Sequence, residues 1–299
     1  MPASSSPPSL TIALVGDIHE QWDAADASAL KGLGVDLVLF VGDFGNESLS
    51  TVRGVAALDL PKASIFGNHD AWYTATSWGR RKRPYNLVEE DRFQLQLELL
   101  QSCRVGYGRQ DFPALGLSVV GSRPFSWGGP EWKNKTFYRE RFGVGSFEES
   151  SAKICQAALA SPHEQLLLIG HNGPTGLGDR AEDICGKDWK MPGEDYGDPD
   201  FEQAIAQIKA AGKSVPLVGF GHMHHNLRHR QDRLRTCTVY RNDTLYVNAA
   251  RCPRIIQHRG QVLRNFSRVT LSQGRVEQAE LIWVDERGAI AETELLYHR

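Results

Sequence analysis

The stretch from Leu10 to His19 reads LTIALVGDIH, an apolar run followed by a glycine, a carboxylate and an imidazole. Such a run is typical of a buried strand, and the glycine after it predicts a tight turn. Two further stretches repeat the pattern, VDLVLFVGDFGNE at 35–47 and KASIFGNHD at 62–70. Helical composition separates neighbouring runs, so the strands are predicted to be parallel with right-handed crossovers. Their polar tips should therefore meet at one edge of a sheet.

Later segments extend the same alternation of strands and helices. EQLLLIGH at 164–171 ends in glycine and histidine, and a strand also precedes GFGHMHH at 219–225. From Thr244 onward, TLYVNAA, NFSRVTLSQ and RVEQAELIWVD are predicted to be strands of a meander. We predict a disordered tail at 1–9 and a single α/β domain with two sheets at 10–299. Long loop insertions are expected at about 71–165 and 172–200, where they would form the wall of a pocket.

The overall composition excludes several classes of protein. The 299 residues are 41% hydrophobic and 23% charged, as in a soluble globular protein with a substantial core. A formal net charge of -2 disfavours a dedicated nucleic-acid binder. No apolar run is long enough to span a membrane, and the start MPASSSPPSL lacks the features of a secretory signal. The expected location is therefore the cytoplasm of a bacterial cell.

The five cysteines are scattered and show no CxxC spacing; they are Cys103, Cys155, Cys185, Cys237 and Cys252. An odd number without motif spacing predicts neither a disulfide framework nor a structural zinc site. A reducing compartment is the simpler interpretation, and the cysteines are expected to be structural or incidental.

The polar residues that follow the predicted strands form one candidate site, namely Asp17, His19, Asp43, Asn68, His69, Asp70, His171, His222 and His224. Imidazoles, carboxylates and an amide without thiolates suit a catalytic Mn, Fe or Zn site rather than a structural zinc site. If the segments are extended, residues two apart point the same way, which would explain the spacing of Asp17 and His19 and of His222 and His224. Two metals about 3.5–4 Å apart would also need a bridging carboxylate.

These residues occur as DxH, GD, GNHD, GH and GHxH blocks in that order. In this respect the chain resembles the calcineurin-like metallophosphoesterases over roughly residues 10–250. The segments GHNGPTGLG and NAARCPR also resemble segments of cyanobacterial and plant-plastid members of that family. The resemblance implies a four-layer αββα sandwich, with two mixed β-sheets flanked by helices and the active site at the C-terminal ends of strands.

The resemblance also implies how the site is divided between two divalent metal ions. The first would be held by Asp17, His19, Asp43 and His224, and the second by Asp43, Asn68, His171 and His222. Manganese, iron and zinc all suit this set, and manganese is the expected metal in vitro. His69 and Asp70 would be the catalytic residues, His69 as a non-ligand beside the phosphate and Asp70 as a carboxylate that orients an imidazole.

The implied activity is that of a metal-dependent phosphoric ester hydrolase. A hydroxide bridging the metals would attack phosphorus of a phosphomonoester or phosphodiester, and His69 would assist the leaving group. The expected partner is a small phosphorylated substrate. One departure affects substrate assignment, because this chain reads GDFGNES where many members continue as GDxxD or GDxxxRG. A residue that often orients or binds substrate is therefore missing there.

Several neighbouring residues have two interpretations each. Arg251 and Arg254 are the predicted phosphate-binding residues among the arginines after the last block, since a guanidinium pairs with two phosphate oxygens. His225 is expected at the rim of the site or behind its ligands, pointing away from His224. Four tryptophans lie in the long loops, Trp72, Trp78, Trp127 and Trp132. They could line a substrate cleft, although packing beneath loops is the commoner use of tryptophan.

Three alternatives to the phosphoesterase remain open at this stage. One is a nuclease or cyclic-nucleotide phosphodiesterase, which the mild acidity disfavours in the case of long polyanions. Another is a protein phosphatase, which would need an open groove beside the metals. The third is a non-catalytic metal-binding scaffold, but a decayed site should have lost several ligands and His69, and all are present.

Overall fold

Two β-sheets pack face to face in the computed structural model, which describes residues 9–299. Residues 1–8 of the predicted tail lie outside the described residues. Helices cover the outer faces of both sheets, and one hydrophobic core lies between each pair of adjacent layers. This arrangement confirms the predicted four-layer αββα sandwich.

The first sheet contains seven strands: β1 (Leu10–Val15), β2 (Leu37–Phe40), β3 (Lys62–Ser64), β10 (Ile255–His258), β11 (Gln261–Ser272), β12 (Arg275–Val284) and β13 (Ile290–His298). Their order is β13-β12-β11-β1-β2-β3, with β10 paired to β11. β1, β2 and β3 are parallel, as predicted, whereas β11, β12 and β13 form an antiparallel meander joined to β1.

The second sheet contains β4 (Arg109–Phe112), β5 (Leu117–Gly121), β6 (Gln165–Ile169), β7 (Ser214–Phe220), β8 (Thr238–Arg241) and β9 (Thr244–Asn248), in the order β4-β5-β6-β7-β9-β8. The four central strands β5, β6, β7 and β9 are parallel. The stretch TLYVNAA therefore belongs to this sheet as β9, and its prediction as part of the meander is wrong. The short strand β8 lies between β7 and β9 in the sequence and pairs antiparallel with β9, so the sequence does not show that β9 also pairs parallel with β7.

In residues 9–299, seven α-helices flank the sheets: α1 (Ala24–Gly32), α2 (Leu49–Ala56), α3 (Ser77–Lys82), α4 (Arg92–Leu99), α5 (Lys135–Phe142), α6 (Phe147–Leu159) and α7 (Pro199–Ala210). α1, α2, α4 and α5 contribute to the core outside the first sheet, and α6 and α7 to the core outside the second. Caps define where these helices start. Asp23, for example, accepts from the backbone N–H of Ala25 before α1, and the Ser146 hydroxyl accepts from that of Glu149 before α6.

Alternating side chains explain why both faces of the central strands are apolar. In β1, Ile12 and Leu14 enter the core between the sheets, while Ala13 and Val15 face the helices. β2 and β6 show the same two-residue alternation. A fully buried aliphatic side chain of this size stabilises a fold by roughly 1.5–3 kcal/mol. The double burial explains why these strands are continuous apolar runs in the sequence.

The predicted loop insertions differ from each other in structure. The segment 71–165 contributes the strands β4 and β5 and four of the helices, so it is not a loop over most of its length. The segment 172–198 contains isolated β-bridges and, within the described residues, neither a helix nor a longer strand. The extent of a single domain over 10–299 stays a prediction. Among residues 9–299, we find no helix both long and apolar enough to cross a membrane.

Candidate metal centre

The polar residues predicted to meet do so at the C-terminal ends of five strands. Five strands are each followed within four residues by a member of the candidate site. Asp17 follows β1, Asp43 follows β2, Asn68 follows β3, His171 follows β6 and His222 follows β7. β1 and β2 lie in the first sheet and β6 and β7 in the second, so both sheets contribute ligands. The site is therefore built across the core between the sheets.

The turns that carry these residues are not extended, which corrects one part of the sequence interpretation. Asp17, His19, Asp43 and His222 have φ angles of 48°, 45°, 55° and 69°, in the left-handed region. This conformation costs free energy for a residue with a side chain, and such costs cluster at functional sites. The spacing of two between ligands therefore results from tight turns beyond the strand ends, not from strand alternation.

Glycines allow the turns to approach each other at the centre of the site. A Cβ atom on Gly67 would lie 2.2 Å from Oδ1 of Asp43 and 2.6 Å from the ring of His171. A Cβ on Gly42, whose φ is 95°, would lie 2.5 Å from the backbone nitrogen of Gly67. No side chain fits at either position, so these two glycines are needed for the carboxylate and the imidazole to converge.

One cluster of donor atoms comes from Asp17, His19 and His224. The Nε2 atoms of His19 and His224 are 3.2 Å apart, and Nε2 of His224 lies 3.2 Å from Oδ1 of Asp17. Oδ2 of Asp17 accepts from the backbone N–H of His222. Oδ1 of Asp17 is buried and has no hydrogen-bond partner within the described part of the chain.

A second cluster comes from Asn68, His171 and His222. Nε2 of His171 lies 3.0 Å from Oδ1 of Asn68 and 3.2 Å from Nδ1 of His222. The other ring nitrogen of His171, Nδ1, lies 2.9 Å from the carbonyl oxygen of Val41. A proton on Nδ1 can be donated to that carbonyl, so in the neutral, metal-binding form of the ring the lone pair of Nε2 faces the amide oxygen and the second imidazole.

Asp43 lies between the two clusters. Its Oδ1 is 3.3 Å from Nε2 of His171 in the second cluster. Its Oδ2 is 3.9 Å from Nε2 of His19 in the first cluster. The backbone N–H of His69 donates to Oδ1 at 2.9 Å, which fixes the orientation of the carboxylate. Asp43 thus has the position that a bridging carboxylate requires.

His69 faces the same space from a third side. Its Nε2 lies 3.9 Å from Oδ2 of Asp43, and its ring stacks on Trp72 at 4.5 Å between centroids. Nδ1 lies 2.6 Å from Oδ1 of Asn46, a residue that the sequence analysis did not select. Asn46 is the asparagine of the divergent stretch GDFGNES, so that departure supplies the partner of His69. Its position three residues after Asp43 was the signal that could have identified it.

Asp70 acts differently from its predicted role. Its oxygens accept from the backbone N–H groups of Asp43, Phe44 and Gly67 at 3.0, 2.9 and 2.7 Å. Its hydrogen bonds within the described residues include none to an imidazole. Asp70 is completely buried and ties together the turns after β2 and β3. It is a positioning residue, and the prediction that it orients an imidazole is not met by these contacts.

The site concentrates negative charge on its buried carboxylates. Burial acts to raise the pKa of Asp43, but the imidazoles of His171, His69 and His19 outweigh it and hold that pKa well below its usual range. Burial likewise opposes protonation of His171, but Asp43 and Asp17 raise its pKa to about 9. Burial and the neighbouring His171 lower the pKa of His222 to about 3. Asp43 therefore remains ionised and attracts positive charge, whereas burial and the neighbouring Asp43 raise the pKa of Asp70 well above its usual range.

The donor sets fit divalent metal ions. Ligand atoms about 2.0–2.2 Å from one ion are separated from each other by roughly 3.0–3.4 Å. The separations of 3.2 Å in the first cluster and of 3.0 and 3.2 Å in the second agree with this range. Two ring nitrogens that face each other without a proton between them, such as those of His19 and His224, repel through their lone pairs. A buried carboxylate oxygen without a partner, such as Oδ1 of Asp17, is likewise unfavourable. A cation in each cluster would satisfy these atoms.

The predicted substrate arginines lie at different distances from the site. Arg254 is buried and its guanidinium hydrogen bonds to Asp26 and to the carbonyl oxygen of Gln21. Its prediction as a substrate-binding residue is therefore not supported, because its charge is already paired inside the fold. Arg251 donates to the side chain of Asn226, which lines the cavity beside the site. For Arg251 substrate binding stays a prediction.

Two further residues near the site, His225 and Cys252, make contacts that the sequence did not specify. His225, expected at the rim or behind the ligands, is buried, and its Nε2 lies 2.9 Å from the carbonyl oxygen of Asn248. It fixes the loop after β7 to the end of β9. The Sγ atom of Cys252 belongs to a convergent group of possible ligand atoms with His19 and His224, and donates to the carbonyl oxygen of Asp17 at 3.0 Å. The other four cysteines are also free thiols.

A sequence profile of the calcineurin-like phosphoesterase family matches residues 10–226, well over half of the chain. One solved crystal structure aligns at 10% identity over 97% of this chain and 100% of its own, with a TM-score of 0.57. The protein TT1561 of Thermus thermophilus aligns at 11% identity over 97% and 100%, with a TM-score of 0.50. A dimetal phosphatase from Danio rerio aligns at 12% identity over 98% and 100%, with a TM-score of 0.49. No curated protein matches the sequence significantly.

Proposed function

This chain belongs to the calcineurin-like phosphoesterase family of metal-dependent phosphoric ester hydrolases, and on that premise we propose that it hydrolyses a small phosphomonoester or phosphodiester. The observation that carries the proposal is the pair of donor clusters joined by the carboxylate of Asp43. Such a pair suits a two-metal site, in which both the attacking and the leaving oxygen are stabilised.

We assign the ligands as the two clusters suggest. Asp17, His19, Asp43 and His224 would hold the first metal ion, and Asp43, Asn68, His171 and His222 the second. The oxygen and imidazole donors suit manganese, iron or zinc. Bound there, the two ions would stabilise charge on the phosphate oxygens and lower the pKa of the attacking water.

His69 is the group that we assign to proton transfer. Asn46 accepts a hydrogen bond from Nδ1, so Nε2 is the atom that faces the reacting space. In its imidazolium form, His69 would carry a second proton at Nε2 and donate it to the leaving oxygen as the ester bond breaks, which leaves the neutral ring with its proton on Nδ1. Stacking on Trp72 fixes the plane of the imidazole and limits its movement during that transfer.

The test is hydrolysis of an aryl phosphate and an aryl phosphodiester by protein that has been stripped with a chelator and reloaded with Mn²⁺. We expect no turnover after stripping and recovery of turnover of at least one ester after reloading. The preferred ester then distinguishes a monoesterase from a diesterase. Metal binding without turnover of either ester, with Mn²⁺, Fe²⁺ and Zn²⁺ each tried, would contradict the proposal in favour of a metal-binding scaffold.

A further inference from the structure

A cavity of about 410 Å³ opens beside the candidate metal centre and extends well beyond it. Asp43, Asn68, His69, His222 and His224 line one part of it. A phosphate group has five heavy atoms, and at about 30 Å³ each it would fill at most on the order of 150 Å³. More than half of the cavity therefore remains for the organic part of a substrate.

Four aromatic side chains line the rest of this cavity, which we call the aromatic cleft: Trp72, Trp127, Trp189 and Tyr196. Trp72 stacks on Trp127 at 5.5 Å with an angle of 16° between their planes. The stack continues to His69, so an indole face lies directly next to the assigned proton donor. Trp189 meets Tyr196 edge to face at 4.8 Å.

The aromatic cleft is held in place by buried polar contacts. The carbonyl oxygen of Tyr196 accepts from the backbone N–H of Gly129 and from Nδ2 of Asn172, both at 2.8 Å. Two residues later, Asp198 forms a buried ion pair with Arg123 at 2.8 Å. These bonds connect the irregular segment 172–198 to the turn that carries Trp127. Tyr196 and the turn that carries Trp127 are therefore positioned before any ligand binds, which limits the entropy lost on binding.

Trp132 packs beneath a loop, whereas the position of Trp189 is not explained by such packing. Trp132 lies against the buried guanidinium of Arg123 and contributes to the core. Trp189 is 44% exposed and lines the cleft, with the guanidinium of Arg228 at 5.8 Å from its ring. Arg228 is exposed, and its guanidinium has no ion pair within the described residues. An accessible indole beside an unpaired cation is typical of a binding surface for an anion that carries an apolar group.

We propose that the aromatic cleft selects phosphoesters whose organic part carries a flat aromatic ring. The ring could be a nucleobase or a simple aryl group, since every such ring has a face that stacks on tryptophan. This inference rests on the proposed function, because the metal centre would hold the phosphate while the cleft holds the ring. Arg228 lines the same cavity as the metal ligands and lies beside the ring of Trp189.

The test compares two inhibitors of the hydrolysis of the aryl ester that the Mn²⁺-loaded protein prefers. They are adenosine 5′-phosphate and ribose 5-phosphate, which carries an anomeric hydroxyl in place of the adenine ring. Stacking of a base on one aromatic side chain contributes about 1–3 kcal/mol. We therefore expect adenosine 5′-phosphate to bind about tenfold or more tightly than ribose 5-phosphate. Trp189→Ala should remove most of that preference, and Tyr240→Ala should retain it. Tyr240 is a matched control because it is an aromatic residue that is 43% exposed and does not line the cleft.

Equal inhibition by the two phosphates in the wild type would overturn the inference, as would a preference that Trp189→Ala leaves unchanged. Phenyl phosphate distinguishes the sources of the ring, because it should match adenosine 5′-phosphate only if any aryl group suffices. If no ester is turned over, the proposed function fails while the inference remains testable. The same two affinities are then obtained by titration of the intrinsic tryptophan fluorescence.

Discussion

Replacing Asp43 by asparagine is expected to reduce hydrolysis by about 10³-fold or more and to remove at least one bound metal ion. The two carboxylate oxygens of Asp43 face the two donor clusters, one oxygen toward each. Lewis-acid stabilisation by such ions contributes several kcal/mol to catalysis, and about 4 kcal/mol corresponds to roughly 10³-fold in rate. The measurements are kcat/KM for the preferred aryl ester and metal content by mass spectrometry.

The fold should survive this substitution. Asparagine keeps Oδ1, which can still accept from the backbone N–H of His69, and it tolerates the left-handed backbone at this position. A thermal midpoint close to that of the metal-free wild type would verify this. If the Asp43→Asn protein binds two metal ions and hydrolyses the ester at the wild-type rate, the bridging assignment is wrong.

The second large effect is expected from His69→Ala, which should lower kcat by about 10²–10⁴-fold and leave two metal ions bound. General acid–base catalysis by a positioned side chain has this magnitude. The prediction also decides between two roles for the residue. His69 forms a convergent group of possible ligand atoms with His19 and Asp43, so the geometry alone also permits it to be a metal ligand.

Metal content separates these two roles. Loss of a metal ion in His69→Ala would make His69 a ligand and contradict its assignment as a proton donor. Asn46→Ala is the control for the orientation of His69, because it removes only the hydrogen bond at Nδ1. One hydrogen bond contributes about 0.5–1.5 kcal/mol, so this variant should lose activity by roughly tenfold at most. A loss as large as that of His69→Ala would show that Asn46 has a further role.

Most of the candidate centre could be predicted because strand ends and glycines are local features of the sequence. The apolar runs before Asp17, Asp43 and His171 identify buried strands, and parallel strands end at the same edge of a sheet. The layered fold was implied by a resemblance that depends on the same blocks. Even so, the reason given for the ligand spacing was wrong, since left-handed turns and not extended strands carry Asp17 and His19.

The parts that could not be predicted depend on contacts between residues distant in sequence. Arg254 was selected for its position after β9, but Asp26, over 200 residues away, pairs with its guanidinium inside the fold. The partner of His69 and the clustering of Trp127 with Tyr196 are likewise tertiary contacts. The pairing of β9 with β7 also joins residues more than 25 positions apart. Hydrophobic periodicity does not contain this information.

Metal stoichiometry tests the central claim most directly. The wild-type protein is stripped with a chelator, loaded with excess Mn²⁺, desalted, and analysed for metal and protein by inductively coupled plasma mass spectrometry and amino-acid analysis. The two donor clusters predict two manganese ions per chain, falling to one or none in Asp43→Asn. A wild-type protein that retains no metal after loading with Mn²⁺, Fe²⁺ or Zn²⁺ would contradict the existence of the centre.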